Sequence, residues 1–146
     1  MKYKKSLPIL LHFQKLIAMG IIGAKFNSPN VTFMVFTKAF NEIMLILKTL
    51  KCSDGTASMF CGIGDLGLTS LNDLSRNRTL GLFIGKGFYD GNSSNQIVLE
   101  GLRSISLFSK MLSNSDIKDS LPILLNLNKL IIKEITTEEF VKGVLK

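Results

Sequence analysis

From residue 9 to the C-terminus, apolar side chains recur at spacings of three and four, and no segment alternates as a half-buried strand must. That period confines the chain to helices packed on helices. Residues 9–25 read as one helix that tolerates Gly20 and Gly23, which a closely packed neighbour would explain. Asn27-Ser28-Pro29-Asn30 breaks and restarts the chain, with Ser28 able to cap and Pro29 suited to a first helical turn. The helix that follows, to about residue 49, sets Phe33, Phe36, Phe40, Ile43 and Leu47 on one face, expected to be core. Ser53 can cap a short helix leading into a glycine-rich stretch. Residues 75–86 read as helical, with Gly87 in the stop position, and Asp90-Gly91-Asn92-Ser93-Ser94 as a turn-rich loop. Residues 96–112 carry Val98, Leu102, Ile105, Phe108 and Leu112 along one side. A helix over 121–133 follows. Thr136-Thr137-Glu138-Glu139 is a capping box that opens a last helix through Phe140, Val141, Val144 and Leu145. The expected class is all-α, a single helical domain of about six or seven helices.

Composition narrows the functional classes. The 146 residues suit one domain with one substantial core, and a 46% apolar content with mean hydropathy +0.29 opposes disorder. Cys52 and Cys61 have no His or Cys beside them to complete a metal set, so free thiols in a reducing compartment are expected, and no metal. Of the net charge of +7, Lys2, Lys4 and Lys5 supply nearly half as a solvated tail; the remainder can attract an anionic ligand such as a phosphate ester. The ten Phe fall mostly within apolar stretches, not interleaved with basic residues, which argues against nucleic acid. The basic start followed by Leu7-Pro8-Ile9-Leu10-Leu11 is interrupted by His12, Gln14 and Lys15 before any cleavage site. No uninterrupted run approaches the roughly 18 apolar residues of a membrane span. A cytoplasmic protein is expected.

One internal match stands out. Residues 6–17, SLPILLHFQKLI, and residues 120–131, SLPILLNLNKLI, are identical at nine of twelve positions. One short match does not make a repeat architecture; the plain reading is chance between two Leu-rich helices that both carry a Lys, and the sharper one is a head not ancestral to the rest.

Chemistry has few places to sit. Gly62, Gly64 and Gly67 satisfy Gly-x-Gly-x-x-Gly, yet Ser58-Met59-Phe60-Cys61 is too short and mixed for a core strand, and no acid stands about 20 positions on, so a dinucleotide fold is not indicated. The glycines are expected to shape a turn that presents Asp65, itself a cap or a partner for a substrate hydroxyl. His12, the lone histidine, reads as a buried, hydrogen-bonded or merely exposed residue in an apolar helix rather than a catalytic one. Ser75-Arg76-Asn77-Arg78 differs in kind. If Ser75 caps its helix, free N–H groups and the positive helix end converge there. Arg76 adds a planar donor fork for two phosphate oxygens, and Ser75 and Asn77 add neutral donors. The competing reading is an ordinary capped helix with solvated arginines.

At these residues the chain resembles the bacterial NAD(P)-dependent glycerol-3-phosphate dehydrogenase family, specifically its helical C-terminal substrate domain, a fold like the C-terminal domain of 6-phosphogluconate-dehydrogenase-like proteins. The family's Gly-(Leu/Ile)-Gly-Asp-Leu-x-Leu-Thr stands here as Gly62-Ile63-Gly64-Asp65-Leu66-Gly67-Leu68-Thr69. Its Ser-Arg-Asn-Arg is Ser75 to Arg78, followed by Gly81 and Gly85-Lys86-Gly87, and its Val-x-Glu-Gly is Val98-Leu99-Glu100-Gly101. The resemblance divides the chain into a divergent head over residues 1–17 and a family domain over 18–146. It implies that Asp65, Ser75, Arg76 and Asn77 bind glycerol 3-phosphate or dihydroxyacetone phosphate, with Arg76, Val98 and Glu100 toward an NAD(P) cofactor. The implied reaction is reversible hydride transfer between nicotinamide and substrate, feeding glycerophospholipid synthesis. At family spacing the catalytic Lys position falls on His12 and the adjacent Asn on Phe13, so no catalytic residue is retained; Lys15, three residues on, points its amine elsewhere. The dinucleotide-binding domain is also expected to be missing.

Three classes of function follow. The first is an enzyme component, inactive alone, whose partner is a separately encoded dinucleotide-binding half. The second is a non-catalytic helical module that binds a phosphorylated ligand or a partner chain. The third is an interaction domain whose apolar face packs on the missing domain, or on a second copy as a homodimer.

Overall fold

The computed structural model describes residues 7–52, 55, 57–72, 74–91 and 96–146. The readings placed on Lys2, Lys4, Lys5, Ser6, Ser53, Asn92, Ser93 and Ser94 lie outside them. Among the described residues there are seven α-helices and no strand: α1 (Leu7–Lys25), α2 (Pro29–Thr49), α3 (Asp65–Leu71), α4 (Arg76–Gly85), α5 (Gln96–Leu112), α6 (Pro122–Ile131) and α7 (Thr137–Leu145). A π-helical turn, Phe60–Gly64, runs into α3, and a 3-10 turn, Lys118–Ser120, precedes α6.

The bundle is built around α1, which packs against each of the other six helices. A helix apolar on all sides belongs at the centre of a bundle, and α1 buries an unbroken run from Gln14 to Ile22. Its second half meets Val35 and Ala39 of α2, Ile105 of α5 and Phe140 of α7. Its first half meets Ile43 and Leu47 of α2, Leu66 of α3 and Phe108 of α5. By length and composition α1 and α2 could each cross a membrane. Counting uninterrupted apolar residues misses this, because His12, Gln14 and Lys15 break the run without lowering the average far. In α1 the hydropathy is spent on the bundle's own core, where 67% of its apolar window is buried, against 33% for α2.

α1 and α4 cross at backbone contact. A Cβ on Gly20 would stand 2.1 Å from the Arg78 carbonyl oxygen, and one on Gly81 would stand 2.0 Å from the Ile17 carbonyl oxygen. A turn further along, a Cβ on Gly85 would come 2.6 Å from the Ala24 Cβ. The expected close neighbour thus exists at Gly20. At Gly23 the nearest atoms are side-chain atoms at 3.9 and 4.0 Å, so that glycine is not needed for contact.

α2 departs from expectation. Pro29 occupies its first turn, but Ser28, though extended at the N-cap, makes no side-chain cap. Its inward face is Val35, Ala39, Glu42, Ile43, Ile46 and Leu47. Phe33 is 60% exposed, and Phe36 and Phe40 are half-buried. The small Ala39 sits against the core while Glu42 turns inward toward α1, which rotates the phenyl rings to the flank. Phe33 and Phe36 meet edge to face there, with centroids 6.4 Å apart.

The remaining helices form where their signals lie. Ser75 caps α4, its Oγ accepting the Arg78 N–H at 3.3 Å, and Gly87 follows with φ +76. The α5 stripe is buried apart from a half-buried Leu102. In α7 the capping box closes both ways: Thr136 Oγ1 accepts the Glu139 N–H at 3.2 Å, and the Glu139 carboxylate accepts the Thr136 N–H at 2.7 Å.

Candidate functional site

A cleft of about 330 Å³ opens where the first turns of α1, the start of α3 and the N-terminus of α4 meet. His12, Asp65, Thr69, Ser75, Arg76 and Asn77 supply its polar wall, and Ile9, Phe13 and Leu16 its apolar one. The structure therefore gathers Asp65, Ser75, Arg76 and Asn77, chosen from the sequence as substrate-binding, around one cavity. It adds Thr69 and Phe13, neither of which was expected to bind substrate. Both carried a signal: Thr69 closes the family motif one helical turn after Asp65, and Phe13 stands at the family's Asn position beside His12.

Each polar side chain is held by a local device. The glycine stretch is helical rather than a turn: residues 60–64 form the π-helical turn, and Gly64 has φ −65 and ψ −46. Gly62 matters for contact, since a Cβ there would lie 2.2 Å from the Ala57 carbonyl oxygen. That carbonyl accepts the Ile63 N–H at 2.9 Å, which tucks the segment in so that α3 starts at Asp65. Asp65 does not cap α3; its carboxylate faces α1, with Oδ2 3.7 Å from His12 Nδ1. Leu66, fully buried, anchors the turn beneath it.

At α4 the cap on Ser75 leaves the other first-turn N–H groups without partners inside the helix. They sit at the cleft with the positive end of the helix dipole. Arg76 is exposed at the mouth. Asn77 is 3% exposed, its Oδ1 has no hydrogen-bond partner, and it lies 2.6 Å from where a Cβ on Gly101 would stand. That glycine of α5 therefore makes room for the Asn77 amide.

His12 is 7% exposed. Burial pushes its pKa below the ordinary 6.5, against the opposing pull of the Asp65 carboxylate. Lys15 is not in the cleft. It is fully buried and donates to Glu42 Oε2, and burial lowers its pKa against the pull of that same carboxylate. Glu42 Oε1 also accepts the Ile123 N–H at 2.6 Å, and Oε2 the Leu124 N–H at 3.2 Å. Val98 lies in the core and Glu100 faces solvent. Neither lines this cleft. Among the described residues no group of three His, Cys, Asp or Glu could hold a metal ion.

A cleft with an arginine, a capped helix end and a carboxylate suits a small ligand that carries both an anion and a hydroxyl. The family model described as NAD-dependent glycerol-3-phosphate dehydrogenase C-terminus matches residues 16–142. This chain belongs to that family. Among the family's curated members, the glycerol-3-phosphate dehydrogenase (NAD(P)+) of Methanothermobacter thermautotrophicus is 42% identical over 89 residues, 61% of this chain and 27% of that protein. The Anaplasma phagocytophilum protein of the same name is 32% identical over 132 residues, 88% of this chain and 40% of its own length. The crystal structure of glycerol-3-phosphate dehydrogenase from Coxiella burnetii superposes with a TM-score of 0.84 at 22% identity, over 96% of this chain and 43% of that one. The fold is that of the family's helical domain, and the chain spans well under half the length of these relatives.

Proposed function

We propose that this chain is the substrate-gripping half of a NAD(P)-dependent glycerol-3-phosphate dehydrogenase. The observation that carries the reading is the convergence of Asp65, Ser75, Arg76 and Asn77 on one cleft at the N-terminus of α4. The phosphate of glycerol 3-phosphate or dihydroxyacetone phosphate sits against Arg76 and the α4 amide end, where charge-assisted donors are strongest. Asp65 and Asn77 take the ligand's oxygen functions on the inner side.

Nicotinamide, when bound, supplies or accepts the hydride at C2. These residues offer little to hold it: Arg76 is at the cleft mouth, Glu100 is exposed and Val98 is buried, so the main cofactor surface comes from a dinucleotide-binding half beyond residues 1–146. Ile9, Leu68, Leu71 and Leu74, all more than half exposed beside or near the cleft, give that half, or a second copy, an apolar face to cover. Residues 1–17 are read as a divergent head, consistent with a family match that begins at residue 16.

Thermal unfolding tests this reading. Millimolar glycerol 3-phosphate should raise the melting temperature by a few degrees, glycerol should not, and Arg76→Ala should abolish the shift. A shift that survives Arg76→Ala would place the ligand elsewhere. The chain alone should not oxidise NADH with dihydroxyacetone phosphate, because near-attack geometry requires a held cofactor; turnover by the purified chain would overturn the half-enzyme reading. Binding without turnover even when a family dinucleotide-binding domain is supplied would favour a non-catalytic phosphate-ligand module.

A further inference from the structure

The cleft contains one group more than a phosphate grip requires. His12 is the only histidine of the chain, is nearly buried, and forms part of the cleft wall with Nδ1 3.7 Å from Asp65 Oδ2. Among the described charged side chains, Asp65 of α3 and Arg76 of α4 share the cleft with it. On its own helix Lys15 is turned away into Glu42 of α2. In the free chain burial outweighs Asp65 and favours the neutral ring. A dianion on Arg76 changes that balance. It offsets the guanidinium's positive charge and adds negative charge in the cleft whose wall the ring forms.

We propose that His12 takes up a proton when a dianionic phosphate monoester seats on Ser75, Arg76 and Asn77, with Asp65 positioning the ring to receive it. The inference rests on the reading of this cleft as a phosphate-monoester site. The proton comes from solvent, and no bond of the ligand is made or broken. Protonated in this place, the imidazole can give its proton to, or recover it from, an oxygen of the bound ligand near neutral pH, which an ordinary lysine with pKa about 10.4 does less readily. The sequence reading left the cleft without a proton carrier; the geometry supplies one.

The experiment is a pH titration of the single imidazole C2–H signal by NMR in the 146-residue chain. It is run free, with saturating sulfate, with saturating glycerol 3-phosphate, and with glycerol. Sulfate stays dianionic across the range, whereas a phosphate monoester has its own pKa of about 6. The free ring should titrate below 6.5. Both dianions should raise its pKa by about one unit or more, and glycerol should leave it unmoved. Asp65→Asn should lower it in both states. Calorimetry with sulfate in two buffers of unlike ionisation heat should show proton uptake by the unaltered chain, and that uptake should be lost in His12→Gln. If the amides of residues 75–77 respond to glycerol 3-phosphate while His12 does not move, the proton inference falls and the phosphate site stands. If neither responds, both fall. Should His12→Gln not fold, the titration of the unaltered chain decides alone.

Discussion

Lys15 and Glu42 are the residues whose roles are set most firmly by their surroundings. An ammonium with no exposed surface is tolerated only with a partner, and a buried carboxylate needs its remaining lone pairs filled. Glu42 meets both demands by accepting from Lys15 and from the Ile123 and Leu124 N–H groups. It thereby caps α6, whose own N-cap, Leu121, has no side chain able to do so. In urea unfolding, Lys15→Met should cost about 3–5 kcal/mol, because it strands the carboxylate. Glu42→Leu should cost more, by about 1 kcal/mol for the lost cap. The double variant Lys15→Met with Glu42→Gln should recover much of the loss, since the amide oxygen still accepts from α6. A neutral Lys15→Met would contradict the buried pair. None of this was legible in the sequence: a lysine in a leucine-rich helix looks like a solvated head on a greasy stem, and its partner lies 27 residues away. The start of α4 at Ser75, with Arg76 and Asn77 in its first turn, was legible in adjacent residue types, whereas Asp65 joined them only through the family resemblance.

At the scale of elements, the α1–α4 crossing positions the site. α4 carries Ser75, Arg76 and Asn77, and its distance from α1, which carries His12, is fixed by glycines in backbone contact. Gly20→Ala or Gly81→Ala should push the helices apart and lower stability by about 1–3 kcal/mol or more, with weaker glycerol 3-phosphate binding. Gly23→Ala should be neutral or stabilising by up to about 1 kcal/mol, since the added methyl meets only side-chain atoms at ordinary distance. Equal losses at Gly20 and Gly23, read from urea midpoints, would contradict the crossing. Helix existence was readable from period and caps; facing was less so. Of the α2 stripe, Ile43 and Leu47 are fully buried and Phe36 and Phe40 pack half-buried against the core, while Phe33 turns outward and Ala39 and Glu42 take places inside. The two near-identical segments make the same point. Lys15 is fully buried in α1 while Lys129 is exposed in α6, and Ile9 is 54% exposed while Ile123 is 0% exposed. Gln14 is also sealed in, with neither amide atom hydrogen-bonded. The string suits α6, which hides its apolar residues and leaves its lysine out, better than it suits α1.

At the scale of the molecule, the fold couples to pH through His12. Its folded pKa lies below the unfolded 6.5, so the unfolded chain binds the proton more tightly. Its stabilising contribution is present above about pH 6.5 and is lost as pH falls through the folded value. Urea midpoints should therefore drop between about pH 7.5 and pH 5.5, and the drop should be smaller in His12→Gln; an unchanged profile would mean that the ring is not buried as described. The central claim is that one cleft in this helical half holds a phosphate monoester. Amide chemical-shift mapping with glycerol 3-phosphate tests it most directly. Saturable shifts should concentrate at residues 12, 65 and 75–77, be absent with glycerol and be lost in Arg76→Ala. Shifts scattered over the lysine-bearing surface, or centred away from the start of α4, would contradict it.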